Sequence, residues 1–192
     1  MTSSDIKNKQ SKGPKTIHKT RRKIEVSSFT IPFVAKELEK LVEDAIDSVS
    51  DQVGSLSQET QDRIYLACIH LVLHLAERYF ILGFTESDAK DYCSQLSHFM
   101  AQDVYHRLFN IDIVSSNASE YFSTYFLSNY QIISQKLALF PMPNRKQNTD
   151  QLPQLFKAFS DWLESTIETG SLVKTLTRTI WDNWPDLIII TT

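Results

Sequence analysis

Residues 62–84 read DRIYLACIHLVLHLAERYFILGF, the longest apolar stretch in this chain of 192 residues. At 3.6 residues per turn, its polar side chains fall along one narrow stripe: Arg63, His70, His74, Glu77 and Arg78. A helix that is apolar on its remaining faces has to be enclosed by other helices. The stretch therefore predicts a central helix over residues 58–83, inside an all-α bundle.

Helical patterns continue on both sides of this stretch. Periodic apolar residues and helix start and stop signals predict five further helices, over about residues 32–53, 86–109, 117–140, 153–169 and 171–183. A short β-prone tail, DLIIITT, follows Pro185 and suits pairing with a sheet edge or docking in a groove. The predicted fold is a single bundle of about six helices.

Charge divides the chain into a basic arm and an acidic body. Residues 1–24 hold eight Lys or Arg against one acidic residue, a balance of +7, whereas the remainder carries −10. The arm lacks the apolar mass that would offset the entropy lost on ordering. We expect residues 1–28 to form a disordered basic arm and residues 29–192 to form the helical-bundle domain.

The cations that we expect to make electrostatic contacts are Lys15, Lys19, Arg21, Arg22 and Lys23. Such side chains displace counterions from phosphates, so the arm is predicted to bind nucleic acid or another acidic surface. No aromatic residues are interleaved with them, so binding would not read the bases. A nuclear-import signal and an unselected solubilising terminus are the other interpretations.

Composition also bears on the compartment. The chain opens without an apolar signal segment, and its two cysteines, Cys68 and Cys93, are typical of free thiols in a reducing compartment. The central stretch is about long enough to span a bilayer, but the histidines and charges within it make that costly. We expect an intracellular protein, cytoplasmic or nuclear, without a membrane span. The sequence leaves its oligomeric state open.

The polar stripe holds the main candidates for chemistry. His70, His74 and Glu77 lie about one turn apart on one face, a spacing that suits a transition metal. Leu71 follows His70, so the general base of the HExxH motif is missing. The other interpretation is that the stripe is the solvent-facing or partner-facing edge of a buried helix. We expect no metal and no cofactor.

Arg63 and His70 are separated by six residues. The pair resembles the Arg-(four to six residues)-His motif of HEPN-type ribonucleases, which are helical bundles that often dimerise. The resemblance implies that Arg63 would stabilise phosphate charge and that His70 would act as acid or base. Residues 30–100 also resemble the order of a histone fold, with a basic arm, a shorter helix, a long helix and another helix. That resemblance implies association with DNA.

Other catalytic motifs are missing from the sequence, which has no GxSxG, P-loop or GxGxxG. The sequence therefore favours a non-enzymatic adaptor or regulator that binds a protein partner through an apolar groove or helix face. An enzyme or metal protein that uses the polar stripe is the alternative. An exposed stripe favours the adaptor, and a stripe that converges on a cavity favours chemistry. The fourth helix carries aromatic residues that suit a ligand groove as well as the more common core packing: Tyr121, Phe122, Tyr125, Phe126 and Tyr130.

Overall fold

The computed structural model describes residues 22–27, 30–109, 116–143, 151–167 and 171–189. These residues form seven helices and two short strands: β1 (Lys23–Val26), α1 (Ile31–Asp47), α2 (Ser50–Val53), α3 (Gln58–Gly83), α4 (Glu86–Phe109), α5 (Ser116–Leu137), α6 (Gln154–Thr166), α7 (Leu172–Asn183) and β2 (Asp186–Ile189). The predicted all-α bundle around a central helix is confirmed.

The central helix α3 has the predicted bounds. The Ser57 hydroxyl caps it by accepting a hydrogen bond from the Thr60 backbone N–H at 3.3 Å. Thirteen of its 26 residues are buried, because α1, α4, α5 and α6 all pack against it. In the described part of the chain, α3 alone is long and apolar enough to cross a membrane, a test that the buried core helix of a soluble protein also passes.

The predicted helix over residues 32–53 is divided into α1 and α2. No Gly or Pro separates them. The Ser48 hydroxyl instead donates a hydrogen bond to the Ala45 carbonyl at 2.6 Å, a side-chain bond that competes with the helical ladder. Val49 and Val53 still lie in the core, so the predicted apolar stripe continues across the break.

The two strands form a small parallel sheet, in which Lys23 pairs with Asp186 and Val26 with Ile189. The β-prone tail therefore does pair with an edge. The sequence predicts that the disordered arm extends to residue 28, and the place of residues 23–26 in β1 corrects that boundary. The reason is that their alternate side chains are buried in the bundle, an apolar pattern hidden by neighbouring cations. Residues 1–21, 28 and 29 lie outside the described residues.

The later helices complete the enclosure of α3. The helix α7 packs against α1 and α6, and α5 packs against α3, α4 and α6. After α1, α3 and α4, the helices α5 and α6 also cover α3. This arrangement places α5 and α6 next to each other above α3, where the groove described below is formed.

Candidate functional site

The polar stripe of α3 faces α5 along most of its length. His70 and His74 are only 2% and 3% exposed, Glu77 is half-buried, and Arg63 is exposed at the beginning of the stripe. The interpretation of the stripe as a solvent-facing edge is therefore wrong for the two histidines. Helical periodicity showed that these residues share a face, but it did not show that α5 would cover that face.

His70 lies beneath the aromatic residues of α5. Its ring meets the edge of Phe126 with 4.5 Å between ring centroids and is tilted against Tyr130 at 5.9 Å. Burial lowers the pKa of His70 to about 3, against a smaller opposing effect of the Phe126 backbone, so the ring is neutral at physiological pH. Its Nε2 atom is buried and has no hydrogen-bond partner among the described residues.

The next polar groups of the stripe have partners on α5. His74 Nδ1 lies 3.1 Å from the Ser134 hydroxyl, and burial, helped by the positive charge of Arg78, lowers the pKa of His74 to about 4. The Tyr130 hydroxyl donates a hydrogen bond to Glu77 Oε2. These contacts form a polar seam between the two helices.

Glu77 and Arg78 complete that seam. Burial raises the pKa of Glu77 to about 7, although the hydrogen bond from Tyr130 acts in the opposite direction. The Arg78 guanidinium donates a hydrogen bond to the Phe140 carbonyl at 2.7 Å, which fixes the chain just after α5.

The proposed metal ligands His70, His74 and Glu77 do not form one donor set. Two of them are engaged separately, His74 by Ser134 and Glu77 by Tyr130. Within the described ranges, no group of three His, Cys, Asp or Glu residues is placed to hold a metal ion. The seam therefore joins α3 to α5.

Arg63 and His70 do share an opening. They line a groove of about 440 Å³ between α5 and α6, with α3 as its floor. The floor consists of Arg63, Leu66, Ala67 and His70, the α5 wall of Tyr125, Phe126, Asn129, Ile132 and Ile133, and the α6 side of Trp162, Leu163, Thr166 and Ile167. The sequence pair Arg63/His70 thus meets at one cavity, with Arg63 on the exposed rim and His70 at the bottom.

A second pocket continues the groove along α5. It measures about 220 Å³ and shares Ile133 and Trp162 with the first. Its other lining residues are Lys136, Leu137, Phe140 and Ala158. From Tyr125 to Leu137, α5 advances about 18 Å at 1.5 Å per residue. The combined feature, called the α5–α6 groove below, is therefore long enough for several turns of a bound helix.

The rim of the α5–α6 groove is apolar and open to solvent. Tyr125 is 51% exposed and Ile132 is 54% exposed, and Tyr121, one turn before Tyr125, is 77% exposed. The predicted aromatic series on this helix is divided between two uses, since Phe122 and Phe126 are buried in the core. The sequence signal for the second use was an excess of apolar residues around α5, more than one buried face requires.

Charge in the groove has one sign. Among the described residues, Arg63 and Lys136 are the formally charged side chains that line it. Arg63 lies 3.4 Å from Glu59 one turn earlier, and both side chains are well exposed, so the pair is weak and easily exchanged. The groove is thus a cationic site on a body whose sequence is acidic overall.

The basic-arm residues lie elsewhere. Arg22 forms an ion pair with Glu37, a largely buried carboxylate of α1, and Lys23 is exposed at the start of β1. Lys15, Lys19 and Arg21 are outside the described residues. Comparison of the chain with protein-family models, with curated proteins and with solved structures found no match.

Proposed function

We propose that this protein is a non-enzymatic adaptor or regulator whose helical bundle binds a segment of a partner protein in the α5–α6 groove. The observation that carries the proposal is the groove itself, an apolar channel with Tyr125 and Ile132 exposed along its rim. Contiguous exposed apolar surface is uncommon on a soluble domain and marks interaction sites. An amphipathic helix in a groove between two helices is a recurrent way to cover such a surface.

The buried histidines and the cavity shared by Arg63 and His70 meet the condition that favours chemistry. The pKa of His70 weighs against acid–base catalysis in this groove. A general acid or base works best when its pKa lies near the operating pH, and burial holds the pKa of His70 near 3. The ring is also only 2% exposed, beneath Phe126. The main binding energy of an apolar ligand comes from buried apolar area and requires no proton exchange with His70.

The basic arm adds an electrostatic contact to this proposal. Its cations would bind nucleic acid or another acidic surface without reading sequence, while the bundle supplies the specific protein contact. The net charge of +7 in residues 1–24 supports this role. Arg22 contributes less than its position in the sequence suggests, because Glu37 already neutralises it.

A selection experiment tests the groove directly. A phage library of amphipathic helices of about 15 residues, long enough for four turns, would be selected against the full-length protein. We expect enriched peptides to lose binding to Ile132→Glu, which places a charge on the rim. Leu139→Glu is the matched control, because Leu139 is 85% exposed and lines neither part of the groove. Failure to enrich any peptide, or equal loss with both variants, would overturn the proposal.

The ribonuclease alternative rests on the shared position of Arg63 and His70 at the groove. It predicts cleavage of labelled single-stranded RNA by the purified protein, abolished in both Arg63→Ala and His70→Ala. Under the adaptor proposal, the RNA stays intact with wild type and variants alike. Cleavage that depends on both residues would replace the adaptor by an enzyme.

A further inference from the structure

The polar and charged atoms of the α5–α6 groove specify a kind of occupant, and this inference rests on the proposed function. We propose that the groove binds an acidic amphipathic helix of a partner protein, anchored by a tryptophan or tyrosine whose N–H or O–H donates a hydrogen bond to His70 Nε2. Two independent observations lead to it: an unpartnered nitrogen at the floor and the single sign of charge along the lining.

The first observation is the buried nitrogen. His70 is 2% exposed and lines the groove, and its Nε2 has no hydrogen-bond partner within the described residues. Buried polar atoms nearly always have a partner, and leaving one without costs stability. A ligand group that hydrogen-bonds to Nε2 removes this cost. An apolar ligand with a polar group at one end should therefore bind the groove more tightly than a wholly apolar ligand.

The ring chemistry determines which polar tip fits. A neutral imidazole has one N–H donor and one acceptor nitrogen. The Phe126 backbone carbonyl can only accept, and its interaction with the ring favours a ring N–H. Because Nε2 has no hydrogen-bond partner in the part of the chain that the structure describes, that N–H is assigned to Nδ1. Nε2 is then the acceptor, and the ligand must bring a donor.

The surrounding walls favour an aromatic body behind that donor. The groove that His70 lines has apolar walls, which include Leu66, Ile133, Trp162 and Leu163. Tryptophan and tyrosine combine a large apolar surface with a donor at one end, and they are frequent anchors of protein interfaces. Phenylalanine or leucine would fill the same space and leave Nε2 unpartnered.

The second observation is the charge of the lining. Arg63 lies in the main part of the groove and Lys136 in its extension, and the described residues place no acidic side chain in the lining. Lys136 follows Tyr125 by 11 residues on α5, about 16 Å along the helix. An occupant with acidic residues along its length would meet both cations. The chain's own basic arm is excluded, because its charge is of the same sign.

The experiment uses the peptides recovered against the full-length protein. We expect enrichment of Asp and Glu and of Trp or Tyr at one anchor position. In each peptide, Trp→Phe or Tyr→Phe at that position should weaken binding about five- to tenfold, the worth of one neutral hydrogen bond. Fluorescence anisotropy of the labelled peptides measures both affinities. In His70→Leu, the peptide pairs should bind alike, since neither can form the hydrogen bond.

Charge variants provide the second readout. Arg63→Glu combined with Lys136→Glu should weaken the acidic peptides and strengthen a version with Lys at the acidic positions. His70→Leu should remain folded, because it removes an unpartnered polar atom from an apolar environment. Circular dichroism melts of each variant check this. Lys90→Glu, on the exposed surface of α4, is the control for added negative charge.

The outcomes separate this inference from the proposed function. The recovered peptides could depend on Ile132 and yet show no Trp or Tyr anchor, no enrichment of acidic residues and no response to His70→Leu. That result would overturn the inference and leave the adaptor function standing. The absence of any peptide that depends on Ile132 would overturn both. Peptides that match this chain's own sequence would replace the partner protein by a second copy, and would also overturn the inference.

Discussion

The Tyr130 hydroxyl donates a hydrogen bond to the Glu77 carboxylate across the contact between α5 and α3. Burial raises the pKa of Glu77 to about 7 and also raises the pKa of Tyr130. The central helix is thus joined to the groove-forming helix α5 by a group that changes charge near neutrality. The packing of α5 on α3 should therefore depend on pH.

Glu77→Gln should remove a pH-dependent contribution to stability. Because the folded pKa of about 7 lies above the ordinary value of 4.5, the folded chain keeps a proton that the unfolded chain releases between these values. Stability from this group is therefore fully present below pH 4.5 and is lost as pH rises through 7. Between pH 4.5 and pH 8, the unfolding free energy of the variant should rise relative to that of wild type by up to about 3 kcal/mol.

Urea unfolding followed by circular dichroism at several pH values measures this difference. Glu120→Gln, at an exposed position of α5, is the control and should follow wild type at every pH. A constant difference between Glu77→Gln and wild type across the range would show that Glu77 titrates as an ordinary carboxyl.

The contribution of His74 to stability should change with pH in the opposite direction to that of Glu77. Its folded pKa of about 4 lies below the ordinary value of 6.5, so the unfolded chain binds a proton that the folded chain excludes. Stability from this group is present above pH 6.5 and is lost as pH falls toward 4, by up to about 3 kcal/mol. In wild type, this change partly cancels that of Glu77.

His74→Gln isolates the histidine, and its unfolding free energy should fall less on acidification than that of wild type. The glutamine amide can still bond the Ser134 hydroxyl. His98→Gln, at an exposed position of α4, is the matched control. Equal acid sensitivity of His74→Gln and wild type would contradict the buried, neutral state of His74.

Leu73→Ala should cost about 2–5 kcal/mol of unfolding free energy, because Leu73 is fully buried in α3 and its truncation leaves a cavity. The control lies on the same helix: Leu82 is 74% exposed, and Leu82→Ala should change stability by less than about 0.5 kcal/mol. Chemical denaturation of the three proteins gives the comparison. Similar costs for the two substitutions would mean that α3 is not the enclosed central helix.

Local sequence signals were sufficient for α3 and for the fold class. Ser57 and Gly83 are helix start and stop signals on either side of a long apolar helical pattern, so both ends of α3 were predictable. The break after Asp47 was not, because no Gly or Pro marks it. At this point the Ser48 hydroxyl and the Val49 backbone N–H both donate to carbonyls three residues earlier. Element boundaries set by such competition have no periodic signature.

The groove and the sheet were less predictable because both join distant parts of the chain. Residues 23–26 acquire their strand partner only from residues 186–189. Arg63 and His70 could be paired from their spacing on one helix, but Ile132 and Trp162 reach the same cavity from two other helices. Helical periodicity in a sequence shows which residues share a helix face. It does not show which other helix packs against that face.

Gly83→Ala should loosen the docking of β2 on the end of α3. A Cβ atom at Gly83 would overlap the side chain of Ile189, so the glycine permits a close approach of the strand. Steric overlap of this kind costs about 1–3 kcal/mol. Ile189→Ala in the same chain should restore most of the loss, because it removes the atoms in conflict.

A double-mutant cycle from thermal or urea unfolding measures this coupling between Gly83 and Ile189. Purely additive effects of the two substitutions would show that the strand does not pack on α3 at this position. The Tyr79 hydroxyl, which donates to the Leu187 carbonyl at 2.6 Å, gives a second link between the same elements.

Binding of nucleic acid by the basic arm, residues 1–24, should depend strongly on salt. Each cation that neutralises a phosphate releases condensed counterions, so affinity for nucleic acid should fall steeply with salt and vary little with sequence. The acidic body, at −10, repels phosphate and competes for the arm. The isolated peptide of residues 1–24 should therefore bind a labelled DNA duplex more tightly than the full-length protein at low salt.

Anisotropy titrations of both molecules over a range of salt measure the two slopes. The difference should shrink as salt rises, because exposed charges are screened beyond about 8 Å at physiological ionic strength. The ion pair of Arg22 with Glu37 should lower the number of phosphates that the full-length protein neutralises, and hence its slope. Glu37→Gln should steepen that slope toward the slope of the peptide. Tighter binding by the full-length protein would instead place the phosphate contacts on the bundle.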